Sequence, residues 1–128
     1  MAVSNFSIGE VESQIAGLSD QIATKETELS FATNSYYSLD SSIKAYKFES
    51  GKTVTISAIV ICNTAYYTSP GYEVLTVPAP KQNLFFRTAS GTAGEAPLRV
   101  VIGTGGKLYL RYGQQSGIYD LTLTYICA

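Results

Sequence analysis

A mainly β protein is predicted: an N-terminal coiled-coil helix leading into an antiparallel β-sandwich or jelly-roll head, assembled as a homotrimer. Three observations carry this expectation. Apolar residues, with Lys25 at one step, recur in alternating steps of three and four from Ile8 to Leu29, the period of a coiled-coil seam. From Ile43 onward the period becomes two, in short β-branched and aromatic runs divided by Gly, Pro and Asn, as strands and turns require. Charge divides at the same place. Residues 1–43 carry one basic residue against six acidic ones, a net of −5, and residues 44–128 carry eight against four, a net of +4. The expected domains are a trimerisation helix over 1–35 and a head over 36–128.

The helix rests on Ile8, Val11, Ile15, Leu18, Ile22, Lys25 and Leu29. Positions 8, 15, 22 and 29 take the a sites of a heptad, and 11, 18 and 25 take the d sites. Ser7 and Glu10 form a capping box at its start. The e and g positions, Glu12, Gln14, Gln21, Glu26 and Glu28, hold no Lys or Arg, so no charge code selects a dimer. Ile at three of the four a sites fits a dimer or a trimer, and Lys25 at a d site fixes register at some cost. Gly9 and Gly17 each weaken the helix by about 1 kcal/mol, so it needs partners. A single amphipathic helix packed on its own domain is the competing reading. Ala32, Tyr36, Leu39, Ile43 and Tyr46 continue the phase, but residues 30–42 are rich in Ser, Thr and Asn, which favour caps and turns. The helix is expected to end between Leu29 and Tyr37, where a linker or first strand follows.

The head reads as seven or so strands. Lys44 to Glu49 is weak and ends in the turn Glu49 to Lys52. Thr53 to Cys62 is the strongest, with Val54, Ile56, Ala58, Val60 and Cys62 on one face; Ile59 and Ile61 suggest that its far half is buried on both sides. After the loop Asn63 to Gly71 come Tyr72 to Val77, stopped by Pro78 and Pro80, and Asn83 to Thr88. The loop Ala89 to Ala96 precedes Leu98 to Ile102, which the Gly103-Thr104-Gly105-Gly106 turn joins to Lys107 to Tyr112 as a hairpin. In the closing strand Tyr119, Leu121, Leu123, Tyr125 and Cys127 alternate with Asp120, Thr122 and Thr124, giving one buried face.

Composition narrows the chemistry. The chain has no His, which excludes His-ligated zinc or haem, a Ser-His-Asp triad and a Cys-His pair. Two cysteines are too few for a zinc ribbon or an iron–sulfur cluster, so neither metal nor cofactor is expected. Cys62 and Cys127 lie in alternating apolar patterns and read as reduced thiols. A net charge of −1 argues against nucleic acid as a partner. The longest apolar run, Ala58 to Cys62, is too short to span a membrane, and the opening residues lack the basic-then-apolar order of a signal peptide. Ser50-Gly51-Lys52-Thr53 ends like a phosphate-binding loop, but Tyr46 stands where that loop needs Gly and a strand follows. The head's carboxylates, Glu49, Glu73, Glu95 and Asp120, are scattered singly, so no enzyme is expected.

Tyrosine, at 10 residues, is the informative feature. Tyr66, Tyr67 and Tyr72 crowd a loop with Asn63, and Tyr112, Gln114 and Gln115 occupy a later turn. Sugar recognition uses aromatic faces for C–H surfaces and planar polar groups for hydroxyl pairs, and these residues offer both. They are the candidate ligand-binding set; covering the end of the sandwich or a subunit contact is the competing role. Arg87, Arg99 and Arg111 can add bidentate contacts to anions, although each taken singly also reads as a solvated strand position. The head's positive balance favours an anionic polymer such as a phosphate-bearing wall polysaccharide.

The layout resembles the receptor-binding tips of bacteriophage tail fibres and baseplate appendages. Leu98 to Leu110 is similar to their penultimate hairpin, Asp120 to Ile126 to their closing strand, and Pro78 to Pro80 before Asn83-Leu84-Phe85-Phe86 to the approach to their central strands. The resemblance implies a homotrimer at the distal tail-fibre or baseplate tip of a virion. It also implies upstream fibre or baseplate proteins as partners and attachment to a host surface saccharide. A purely structural trimerisation knob and a cytokine-like or complement-like trimeric jelly roll are the alternatives. If the heptad seam holds a parallel trimer, sedimentation equilibrium at micromolar concentration gives three times the chain mass. Ile15→Asp then gives monomer, because it buries unpaired charges in the seam. A monomeric parent protein contradicts the expectation.

Overall fold

The computed structural model describes residues 24–88 and 96–128 of the chain. Among them the secondary structure is entirely β: β1 (Lys25–Leu29), β2 (Tyr37–Leu39), β3 (Ala45–Ser50), β4 (Thr53–Cys62), β5 (Tyr72–Thr76), β6 (Leu84–Thr88), β7 (Leu98–Ile102), β8 (Lys107–Tyr112) and β9 (Ile118–Ile126). They form two antiparallel sheets, consistent with a β-sandwich. In the five-stranded sheet β4 is central. One edge pairs with β3 along Thr53–Ser57 and with β2 along Val60–Cys62, and the other pairs with β9. The four-stranded sheet runs β5-β8-β7-β6.

Alternation builds the core. Val54, Ile56, Val60 and Cys62 of β4 and Tyr119 and Leu121 of β9 are buried from one sheet. Leu98, Val100, Ile102, Leu108 and Leu110 meet them from the other. Each fully buried aliphatic side chain contributes roughly 1.5–3 kcal/mol. The expected two-sided burial of β4 is not met. Ile59 and Ile61 are only half-buried, because no layer covers the outer face of the five-stranded sheet among the described residues. Between β7 and β8, Gly106 has φ +78 and its missing Cβ leaves room for the Val77 carbonyl, which would lie 2.6 Å away; any other residue there forces the turn open.

The expected helix is corrected at its C-terminal end. Lys25 and Leu29 belong to β1, registered against β3 from Lys25↔Glu49 to Leu29↔Ala45. The two residues are four apart, so they share a face in a helix and also in a strand. Pairing with β3 and packing of Leu29 on the core decide between the periods. Residues 25–29 thus lie in the head's own sheet, upstream of the boundary expected at 35/36. The remaining seam residues, Ile8, Val11, Ile15, Leu18 and Ile22, lie outside the described residues.

Side-chain hydroxyls link the two sheets and their connections. The Tyr125 hydroxyl donates to the Pro78 carbonyl at 2.8 Å, and Thr88 of β6 donates to the Asp120 carbonyl of β9 at 2.8 Å. Both cysteines are unpaired, with Cys62 buried and Cys127 half-buried. Burial pushes the Tyr125 phenol up to about 12 and the Tyr37 phenol higher still, from an ordinary value of 10.0. Folding therefore favours the neutral phenols. That stability is fully present below pH 10 and is lost as pH rises through the folded-state value near 12. Stepwise alkaline titration should show tyrosinate absorbance and loss of β-sheet circular dichroism rising together above pH 10. Ionisation of all ten tyrosines near pH 10 with the sheet signal intact contradicts this.

Candidate functional site

The loop between β4 and β5 folds over the end of β8, and buried Tyr37 fixes the crossing. Asn34 sets Tyr37 in place: its Oδ1 accepts the Tyr36 and Tyr37 amides at 2.8 and 2.9 Å, and its Nδ2 donates to the Tyr37 carbonyl at 3.0 Å. Such local bonds are the turn-forming habit of Asn. The Tyr37 hydroxyl, on β2, accepts the Tyr66 amide at 3.1 Å and donates to the Tyr112 carbonyl at 2.8 Å. Tyr66 and Tyr112 form an isolated antiparallel bridge, with the Tyr112 amide donating to the Tyr66 carbonyl at 2.8 Å. Tyr112 is held at φ 67, a left-handed conformation costing a bulky residue about 1–2 kcal/mol.

This scaffold sorts the tyrosines into two groups. Tyr66 and Tyr72 join Tyr36 in a half-buried triad with ring centroids 4.9, 5.0 and 5.6 Å apart. All three pack against the core, so their role is structural. Tyr67 is 66% exposed, and its ring lies 5.9 Å from that of Tyr112. The Arg111 guanidinium sits 4.4 Å over the Tyr112 ring, and its Nε donates to the Tyr67 carbonyl at 2.8 Å. The result is an aromatic surface with a fixed planar cation beside it, a cation–π arrangement.

The structure therefore brings together Tyr66, Tyr67, Tyr72 and Tyr112 of the predicted set. Asn63, Gln114 and Gln115 take no part in the ring contacts. The Asn63 amide side chain donates to Ser38 Oγ at 3.0 Å, so it braces β2. Gln114 and Gln115 are exposed on the turn after Gly113, and the Gln114 backbone amide donates to the buried Tyr119 hydroxyl. Sequence reasoning left out Tyr36, which stands in the Ser/Thr-rich stretch, and did not join Arg111 to its neighbour Tyr112.

Arg111 also borders a cleft of about 210 Å3 on the outer face of the four-stranded sheet. Arg99, Ser69, Pro70, Asn83, Phe85 and Val101 complete its lining. A larger cleft of about 450 Å3 lies among β1, β2 and the approach to β3, with Asn34 and Tyr37 in its lining and none of Tyr66, Tyr67, Tyr72 or Tyr112. Among the described residues no group of three His, Cys, Asp or Glu side chains is placed to hold a metal. No helix among them is long and apolar enough to cross a membrane. No protein-family model and no curated protein matches the chain.

Proposed function

We propose that this chain is the receptor-binding head of a bacteriophage tail fibre or baseplate tip, attaching without catalysis to a saccharide on the host cell surface. The Tyr67–Tyr112–Arg111 surface carries the reading. An exposed tyrosine ring offers a flat apolar face with little conformational entropy to lose. Arg111, clamped by Tyr67 and Tyr112, supplies planar donors at its edge. Homotrimeric display belongs to the same proposal, since three weak sites acting together bind far more tightly than one.

A second reading, a structural trimerisation knob, is favoured by the outer face of the five-stranded sheet. Its rungs Glu28↔Tyr46↔Ser57↔Thr122 and Glu26↔Phe48↔Thr55↔Thr124 set aromatic rings and hydroxyl groups inside a carboxylate edge on β1, an uncharged centre with a polar rim suited to contact between copies.

The test is a bacterial glycan array probed with the full chain and with Tyr67→Ala and Tyr67→Phe. The proposal expects a defined set of bound glycans, about tenfold weaker binding for Tyr67→Ala, and retention for Tyr67→Phe. Thermal melting should match in all three proteins, because Tyr67 is exposed. An empty array, or an Ala variant that binds like the parent, favours the structural knob.

A further inference from the structure

Strand register assembles a feature that no single residue announces. Arg87 of β6 stands opposite Arg99 of β7, and Arg99 stands opposite Arg111 of β8. Directly opposed residues share a face, so the three form one rung across three adjacent strands. The alternation puts that rung outside: Leu98 and Val100 flank Arg99 in the core, and Leu110 precedes Arg111 there. Strands lie about 4.8 Å apart, so the three arginine stems span roughly 10 Å.

Three like charges on one rung repel. Among the described residues none of the three forms an ion pair with a carboxylate; those pairs belong to Lys44, Lys47 and Lys107. An anion laid across the rung removes the repulsion, and guanidinium forks match tetrahedral oxyanions in bidentate geometry. Beside the rung lies the 210 Å3 cleft, which shares Arg99 and Arg111 with it. Phe85, 65% exposed, and Val101 form an apolar floor next to Arg99. Ser69 and Asn83 add polar groups at the rim. Asn83 Oδ1 already accepts the Thr104 amide at 3.1 Å, which orients its NH2 group.

We infer that the outer face of the four-stranded sheet is a binding site for a phosphorylated saccharide, with the Arg87–Arg99–Arg111 rung holding the phosphate and the adjoining cleft holding the sugar. This deepens the proposed glycan reading and rests on it. Arg111 belongs to both the rung and the tyrosine surface, so one ligand can engage the two together.

The test compares phosphomannan with the same mannan stripped of phosphate, by biolayer interferometry at about 0.15 M salt. The site predicts that phosphomannan binds at least about tenfold more tightly than mannan and that inorganic phosphate competes. Arg99→Gln and the exposed Arg87→Gln should each weaken phosphomannan binding by about tenfold. Both should also raise the melting temperature by about 2 °C, because like charges leave the rung. Loss of binding in a more stable protein separates the site from a folding defect. Equal binding of the two polymers, no binding of phosphomannan, or unchanged binding in both arginine variants overturns the inference. Tyr67→Ala distinguishes the two claims. Loss there with retention in the arginine variants keeps the saccharide reading and rejects the phosphate site. The reverse pattern supports the phosphate site and removes Tyr67 from the ligand surface.

Discussion

The Tyr37 hydroxyl is the point on which the candidate site depends. It is fully buried on the short strand β2, yet its two hydrogen bonds reach the loop after β4 and the end of β8. A buried phenol without partners costs several kcal/mol against water. With both partners in place, the group fixes the backbone of Tyr66 and Tyr112 relative to the five-stranded sheet. Tyr112 keeps its left-handed backbone because three bonds converge there: its amide to Tyr66, its carbonyl from Tyr37, and the cation–π contact from Arg111. The exposed ring of Tyr67 and the Arg111 fork are positioned as a consequence. Rigid support beneath exposed aromatic groups lowers the entropy lost on binding.

The same arrangement explains why the tyrosines divide into two kinds. Tyr36, Tyr66 and Tyr72 pack edge to face and seal the end of the sandwich. Tyr67 and Tyr112 stand outside that triad, in ring contact with each other and with Arg111 over the Tyr112 ring. The +4 balance of residues 44–128 is thus concentrated in part on one rung, while acidic Glu26 and Glu28 lie on β1 of the other sheet. Three like charges on one rung cost stability, and only Arg111 among them has a structural partner in the tyrosine surface.

Most of the head was legible because one-sided burial writes itself as alternation. β4 and β9 show it over nine or ten residues, and the glycine hairpin between β7 and β8 follows from its turn chemistry. β1 was misread because Lys25 and Leu29 satisfy both periods. β2 was not singled out because three residues in a Ser/Thr-rich stretch carry no period of their own. The tyrosine cluster was half-legible: Tyr66, Tyr67 and Tyr72 are close in sequence, whereas Tyr36 and Arg111 join them only through tertiary contacts. The arginine rung could not be read at all, since register between strands is a property of pairing and not of any one segment.

The Tyr37 hydroxyl orders the site, and amide hydrogen exchange tests this most directly. In the parent protein the Tyr66 and Tyr112 amides should be protected like those of β7. In Tyr37→Phe the Tyr66 amide loses its acceptor, so protection of the Tyr66 and Tyr112 amides should fall by about tenfold or more, while Val100 and Leu110 exchange as before. Equal protection of Tyr66 and Tyr112 in the two proteins contradicts the account.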